Sequence, residues 1–395
     1  MRVRKEEAAG TRSRGALDRY VVAVAALFII GLAIRLHSAA TCAAVPSYSD
    51  MAEYDQLASE GTFNAHRPPL YPLFLRAIYA LFGAGNHRAV FVIQSILSSC
   101  AIVLLYRAVS RMWSRRAGII AAAVYCVYPG LIMYNLTTLT ESASVLIAVA
   151  IMAVAVSSLG DRRKAIAQGL IVGIGALTKP AFLFFVPGML VTMKRRTIFL
   201  VVFLCALAPW ILYNAVANHE LVLVSDTGAL NFYMSYNSDA KGTFLALKEW
   251  ESVPAGEYVR RGLDFIRNNK LQTAEIIYAK IFTLFELGWD RHVGRDLVTN
   301  VNVQYAMMYG YLLVFAFGCI GLARRYRARH LPAVLPILSY VVLLILLSHF
   351  LIRFRALYEP LLIAYTAILF GGRETDFSRA GSAGHGSERA GSKPR

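Results

Sequence analysis

The sequence predicts an all-α polytopic membrane protein, a bundle of about ten transmembrane helices with two external segments that carry interfacial helices. Three observations predict it. Apolar runs of about 20 residues recur along most of the chain, long enough to cross a hydrocarbon core of about 30 Å. Only 16% of the 395 residues are charged, against about 25% in an ordinary soluble domain, and the mean hydropathy is +0.51. Basic residues are bunched in short stretches between the apolar runs: Arg107, Arg111, Arg115 and Arg116, Arg162 to Lys164, Lys194 to Arg196, and Arg324 to Arg329. Together with the two tails these stretches account for the net charge of +17, and the positive-inside rule assigns them to the cytoplasmic side. The charge therefore reports topology, with anionic membrane lipids as its partner, and nucleic acid is excluded.

Taken in order, the spans fall at 20–38, 89–106, 117–135, 141–159, 165–178, 181–193, 197–215, 302–323, 331–350 and 356–371. The first, Tyr20 to Ser38, is followed by small residues that would suit a signal-peptidase site. It is long for that role and Arg35 and His37 interrupt its end, so an uncleaved anchor is expected. Residues 70–82 are apolar, but a helix of that length reaches only about 20 Å. Counting it as a span would also put Arg107 to Arg116 outside, so it lies on or dips into the outer leaflet, with Pro68 and Pro69 in its first turn. Basic stretches flank 165–193 on both sides, so two short helices joined near Lys179 and Pro180 are expected there, not one long kinked helix.

The organisation that follows is a cytoplasmic basic tail over 1–19, a transmembrane domain over 20–372 and a Gly-, Ser- and Arg-rich cytoplasmic tail over 373–395, expected to be disordered. Two segments, 39–87 and 214–301, face outward. The second holds eleven acids and nine bases, a balance unlike the cytoplasmic loops. Its opening, "HELVLVSDTGALNFYMSYN", predicts loop and short strands from its β-branched and aromatic residues. Residues 256–288 predict helix from their spacing, with Lys280 and Glu286 on a solvated face. Of the five cysteines, four lie in apolar runs and Cys42 in a polar loop, which gives neither a disulfide framework nor a metal-ligand spacing.

The segment "SYSDMAEYDQLASEGTFNAHRPPLYPLF" sets four carboxylates and a His-Arg-Pro-Pro run straight after the first span. Asp50 and Glu53, three apart, share one side of a helix. Two readings stand. Asp50 as N-cap with Glu53 behind it is a variant of the capping box, with Met51, Tyr54 and Ala58 as the apolar stripe of an interfacial helix. A carboxylate at a membrane-facing cleft is also suited to accept a proton. Farther on, Arg353 and Arg355 fall at the external end, where arginine is uncommon and costly unless paired. A lipid phosphate would pair with the guanidinium fork, and Glu359 or Glu141 would serve as internal partners instead. Lys179 carries the same argument on a longer, more flexible stem, while Glu141 with Thr140 would cap its own span.

Five stretches in order resemble the membrane glycosyltransferases of the GT-C fold, among them protein O-mannosyltransferases and aminoarabinose transferases, which use polyprenyl-phosphate sugars. In the first external segment Asp50, Tyr54, Arg67, Pro68 and Pro69 match, while Met51 stands where a second acid is usual. "YPGLIMYNLTTLTES" places Glu141 at an acidic position, and "GALTKP" places Lys179 at a basic one. "PWILYNAVANHE" is similar to the stretch opening the large external loop, with Tyr213 in place of Arg before Asn214, and "LIRFRALYEP" resembles the last-span signature with Phe354 for Tyr.

The resemblance implies a GT-C-like bundle that moves a sugar from a polyprenyl-phosphate donor to an acceptor hydroxyl on protein, lipid or glycan. It implies an inverting displacement at the external face of a bacterial-type inner membrane. Asp50 would be the catalytic base, Arg353, Arg355, Lys179 and Arg67 would hold the donor phosphate, and Glu53, His66, Glu141 and Asn214 would support them. No cofactor is required, and a divalent cation is left open. The sequence has no Walker A, no His-Glu-x-x-His, no CxxC and no Asp-x-Asp nucleotide-sugar motif. The alternatives are a transporter or flippase of lipid-linked saccharide, disfavoured by the lack of repeated halves, and a membrane polysaccharide polymerase.

Overall fold

Long runs of Leu, Ile, Val and Ala leave the backbone no partner in hydrocarbon but itself, so they wind into helices. The computed structural model describes residues 2–41, 50–242, 253–284 and 301–372, and among these every regular element is helical. The expected disordered tail from Arg373, Cys42 and Glu286 lie outside the described residues. In chain order the helices are α1 (Arg2–Thr41), α2 (Asp50–Glu60), α3 (Leu70–Phe82), α4 (His87–Met112), α5 (Arg115–Val127), α6 (Pro129–Met133), α7 (Glu141–Ala155), α8 (Asp161–Thr178) and α9 (Val186–Thr192). There follow α10 (Arg196–Tyr213), α11 (Thr227–Ser235), α12 (Ala255–Asn268), α13 (Lys270–Thr283), α14 (Val301–Arg325), α15 (Leu331–Leu347) and α16 (Glu359–Phe370).

Among the described residues five helices are long and apolar enough to cross a membrane: Arg19–Thr41, His87–Met112, Arg196–Asn218, Tyr305–Arg325 and Ala328–Leu347. A further pair, Arg115–Val127 and Pro129–Leu136, is long and apolar enough only when taken together and is bent by 53° at its break. The bend has a local cause, since Pro129 offers no N–H to the Tyr125 carbonyl. Arg35 of α1, 0% exposed, takes that role: its guanidinium donates to the carbonyls of Tyr125 at 3.2 Å and Cys126 at 3.0 Å, and to Ser98 Oγ at 3.1 Å. A residue that reads as an interruption of the first run thus pins α1 to α4 and α5.

At three of the other expected spans the helices are shorter, Glu141–Ala155, Pro180–Thr192 and Glu359–Phe370, while α8 covers the whole of 165–178. α7 starts at Glu141, and α8 ends at Thr178, after which Lys179 is extended and Pro180–Phe185 form a 3₁₀ turn before α9. α15 ends at Leu347, and a second 3₁₀ turn, Ile352–Leu357, carries the chain into α16. Irregular backbone at membrane depth persists only where it is buried in protein or lines a polar cavity. Glu141, Lys179 and Arg353 all sit at or beside these helix ends.

Elsewhere the bundle is tightly packed. α14 lies against α16 through Gly318 and Gly321: a Cβ on Gly318 would come within 2.8 Å of the Leu362 carbonyl oxygen, and one on Gly321 would meet that of Tyr365. Close backbone approach at small residues is how helices gain contact inside a membrane.

The second polar segment corrects the strand expectation. Residues 227–235 form α11, with Leu230 and Met234 buried one turn apart, and α12 packs on it through Gly262 against Phe232. Tertiary burial of one helical face outweighs the β propensity of the aromatic and branched residues. The helix expected over 256–288 is broken at Asn269 into α12 and α13. Lys280 is not on a solvated face: it is 0% exposed. The outward side of α13 instead exposes the large apolar residues Leu271, Tyr278 and Phe282 beside Glu275.

Candidate active site

α2 opens at Asp50, and its buried side, Met51, Tyr54, Leu57 and Ala58, packs against α3, with Tyr54 edge-on to Tyr71 at 5.0 Å. The apolar stripe expected to meet lipid is therefore turned into the protein. Asp50 lies one turn before Tyr54 at the edge of this buried side and Glu53 flanks it, so both carboxylates reach the loop that precedes α3. Pro68 and Pro69 limit that loop's conformations, and Arg67 stands just before them.

Both Asp50 oxygens accept from guanidinium groups. Arg67 donates to Oδ1 at 2.6 Å, and Arg353 donates to Oδ2 in a close contact. Arg67 also donates from Nε to Glu53 Oε2 at 2.8 Å and lies over the Tyr54 ring at 5.3 Å. The carboxylates expected as a capping box thus face arginine. Beyond Arg353 the chain of charges continues: its Nε is 3.8 Å from Glu141 Oε1, and that oxygen accepts from Lys179 Nζ at 2.7 Å. The Phe354 ring underlies Lys179 at 5.0 Å and Arg353 at 5.9 Å. Residues from α2, the loop before α3, the start of α7, the end of α8 and the turn before α16 so converge on one partly buried cluster.

Three acids and three bases meet there, Asp50, Glu53 and Glu141 with Arg67, Lys179 and Arg353, and their formal charges cancel. Burial alone would raise the Asp50 carboxyl, but the charges of Arg353 and Arg67 outweigh it and hold the group well below its ordinary range. Burial lowers the Lys179 ammonium from its ordinary value, against the pull of Glu141. Glu141 is 1% exposed, and its second oxygen, Oε2, has no hydrogen-bond partner among the described residues.

Three residues expected at the site lie apart from this cluster. Arg355 pairs with Glu359 at 3.4 Å and lies 3.9 Å over the Tyr311 ring, inside the bundle. The reason is local: in a 3₁₀ turn of three residues, positions two apart point in different directions, so Arg353 and Arg355 diverge. His66 is bonded to Asp226 at 2.7 Å, and Ser225 Oγ donates to the His66 carbonyl at 2.7 Å, so this pair ties the two polar segments together. Asn214 is buried in a π-helical turn, donating to the Trp210 carbonyl at 2.9 Å and accepting from Asn218 at 2.8 Å.

Sequence reasoning missed Lys280. Its Nζ donates to the Ile345 carbonyl at 3.0 Å and stands 4.3 Å over the Tyr236 ring, while Tyr236 donates to the Leu346 carbonyl at 2.7 Å. Both cap the C-terminal end of α15, whose last carbonyls have no intrahelical partner. Phe350 N–H donates to the Gly242 carbonyl at 3.0 Å, a third tie between that polar segment and the stretch that carries Arg353. The available signal was one helical face, Thr273, Ile276, Lys280 and Thr283, all buried. A second missed set is Asp55, which accepts from Tyr79 in a close contact and pairs with His87 at 2.9 Å, latching α2 to α3 and α4. Among the described residues no three His, Cys, Asp or Glu side chains are grouped to hold a metal ion.

Residues 66–225 match the dolichyl-phosphate-mannose-protein mannosyltransferase family. The matched region is somewhat under half of the chain and runs from the loop before α3 to the residue before Asp226. This match is to the family that the motifs resemble; the enzyme class that goes with it is glycosyltransferase, and the chain is an integral multi-pass membrane protein. Among solved structures the chain is similar to ArnT from Cupriavidus metallidurans bound to undecaprenyl phosphate, with 15% identity and a TM-score of 0.45, over 90% of this chain and 77% of that one. It is similar also to the same protein in the apo state, with 14% identity and a TM-score of 0.43, over 91% and 77%. No curated protein matches the sequence.

Proposed function

We propose that this chain, like the mannosyltransferase family it matches over residues 66–225, moves a sugar from a polyprenyl-phosphate donor to an acceptor hydroxyl at the external face of the membrane. The bundle is GT-C-like, with about ten crossings if the shorter helices also span. The observation that carries the reading is the convergence of Asp50, Arg67, Arg353, Glu141 and Lys179 where α7 begins, α8 ends and the turn before α16 passes.

The chemistry follows from the parts. An acceptor hydroxyl attacks the anomeric carbon from the face opposite the phosphate, so the configuration inverts. Asp50 takes the hydroxyl proton. The bond from the anomeric carbon to the phosphate oxygen breaks with its electron pair on that oxygen, and Arg353, with Lys179 and Arg67 nearby, stabilises the charge that develops. Guanidinium groups suit this work because their planar fork meets phosphate through two hydrogen bonds. Glu53 and Glu141 hold the cations in place. Arg355, paired inside the bundle, is not among them.

The test is transfer of labelled sugar from a polyprenyl-phosphate donor by purified Asp50→Asn protein, with insertion and monodispersity checked against wild type. Loss of transfer by about 10²–10⁴-fold is expected for removal of a general base. Full transfer by the variant would remove Asp50 from the mechanism. Movement of intact lipid-linked saccharide with no transfer in wild type would favour the flippase alternative.

A further inference from the structure

The cluster poses a chemical difficulty. A general base needs proton affinity as well as a lone pair, yet each Asp50 oxygen is bonded to an arginine, Oδ1 to Arg67 and Oδ2 to Arg353, and both cations lower the basicity of the lone pairs that remain. A phosphate needs a cation with room for another anion, yet Arg353 is committed to Asp50 on one side and lies 3.8 Å from Glu141 on the other. The six charged groups already cancel, so an anionic donor enters a neutral cluster and has to compete with a carboxylate for its arginine.

We propose that donor and base exchange on Arg353: the donor phosphate displaces Asp50 from the guanidinium, and Oδ2 is thereby released to the acceptor hydroxyl. The proposal rests on the reading of this cluster as the donor site. Three features of the geometry support it. Arg353 reaches Asp50 through a terminal nitrogen, Nη2, at the end of a long side chain, so the contact can be given up without moving the backbone. Its Nε already faces Glu141 Oε1, whose neighbour Oε2 is buried with no hydrogen-bond partner among the described residues, so the guanidinium has a second anion to lean on when it swings. Asp50 keeps Arg67 throughout, which holds the carboxylate in position while its other oxygen is freed.

Chemically the exchange couples the two halves of the reaction. Release of Arg353 removes the stronger of the two cationic pulls on Asp50 and raises its basicity when, and only when, the leaving group is seated. In the transfer itself the acceptor oxygen bonds to the anomeric carbon, the carbon–oxygen bond to phosphate breaks, and the electron pair stays on the phosphate. The proton moves to Asp50 Oδ2. The product phosphate carries more negative charge than the donor diester and is held by the arginine that Asp50 has left. Loss of that proton and return of Asp50 to Arg353 then help expel the spent lipid.

The inference makes an unusual demand: deleting the base should tighten binding of the lipid product. The probe is undecaprenyl phosphate, titrated into detergent-solubilised full-length protein and followed by intrinsic fluorescence. Asp50→Asn should bind it about tenfold more tightly than wild type, since a competing charged partner of a half-buried arginine has been neutralised. Glu53→Gln removes the same charge without touching Arg353 and should change affinity by about twofold or less. Arg353→Gln should weaken binding by at least about tenfold, and adding Asp50→Asn to it should give no further tightening.

Equal or weaker binding by Asp50→Asn while Arg353→Gln binds poorly would end the exchange and leave the donor site standing. Unchanged binding by a folded Arg353→Gln would remove the phosphate from this arginine and take both readings down. Tightening by Glu53→Gln equal to that by Asp50→Asn would reduce the effect to general charge and overturn the exchange. Competition by inorganic phosphate or by phosphatidylglycerol at the same mole fraction would assign the cluster to phosphate in general or to any lipid headgroup, and would overturn it too.

Discussion

Replacing Lys280 with methionine should change how the stability of this protein depends on pH. The ammonium is buried between α13 and the end of α15, with one carbonyl and one aromatic ring as its contacts. Burial pushes its pKa down from 10.5 to about 7. In the unfolded chain the group remains protonated up to its ordinary value, so between about pH 7 and pH 10.5 the unfolded state binds more protons than the folded one. The folded state therefore gains stability as pH rises through that window and loses it as pH falls, with no further change from this group below about pH 7. At 1.36 kcal/mol per pKa unit the full displacement is worth about 5 kcal/mol, and local relaxation lowers the observable part to about 2–4 kcal/mol. Lys280→Met removes this dependence. Below pH 7 it should be more stable than wild type by about 1–3 kcal/mol, once about 1 kcal/mol is allowed for the lost bond to the Ile345 carbonyl. Melting of the two proteins in detergent, followed by intrinsic fluorescence at several values between pH 6 and pH 10, isolates the effect as a difference, because tyrosines and cysteines titrate in both. Curves that stay parallel across this range, or a variant that is less stable at pH 6 by several kcal/mol, would refute the burial argument.

Arg35→Met should cost about 1–3 kcal/mol, because it strands the Cys126 carbonyl and leaves that of Tyr125 only the Tyr128 N–H at 3.4 Å, and a melting curve reads this directly. Gly318→Ala should lower stability by about 1–3 kcal/mol, since the new Cβ would press on the Leu362 carbonyl and part α14 from α16. Glu141→Gln should destabilise by about 3–5 kcal/mol by leaving Lys179 buried without its counter-ion, and Lys179→Met in the same protein should restore much of that loss. A double variant no more stable than Glu141→Gln alone would show that the pair is not coupled.

The cluster was legible in the sequence to the extent that its members had to be paid attention for two reasons at once, chemical type and place. Asp50 stands out as a carboxylate straight after a span, and Arg353 as an arginine on the wrong side for the positive-inside rule; Arg67, Lys179 and Glu141 were drawn in by order along the chain. What joined them was not legible. Glu141 and Lys179 stand at ends that the expected spans 141–159 and 165–178 already give, but a hydropathy run does not say which helix ends face one another. Arg355 shares every property of Arg353 that a sequence displays, and only the 3₁₀ turn sends it to Glu359 instead. Lys280 has the spacing of a solvated residue on an amphipathic helix, but α13 is turned with Leu271, Tyr278 and Phe282 outward, and which side faces the protein is settled by packing on α15. The strands expected near 227–235 failed for a related reason. Aromatic and branched residues favour a pleated surface in general, whereas here a neighbouring helix offered Leu230 and Met234 a better one.

The most direct test is a structure of the full-length protein solved with undecaprenyl phosphate. The phosphate should sit within hydrogen-bond reach of the Arg353 guanidinium, with the Asp50 carboxylate turned from that arginine and still joined to Arg67. A phosphate found at the basic loop around Lys194 to Arg196, or one beside Arg353 with both Asp50 contacts intact, would contradict the account.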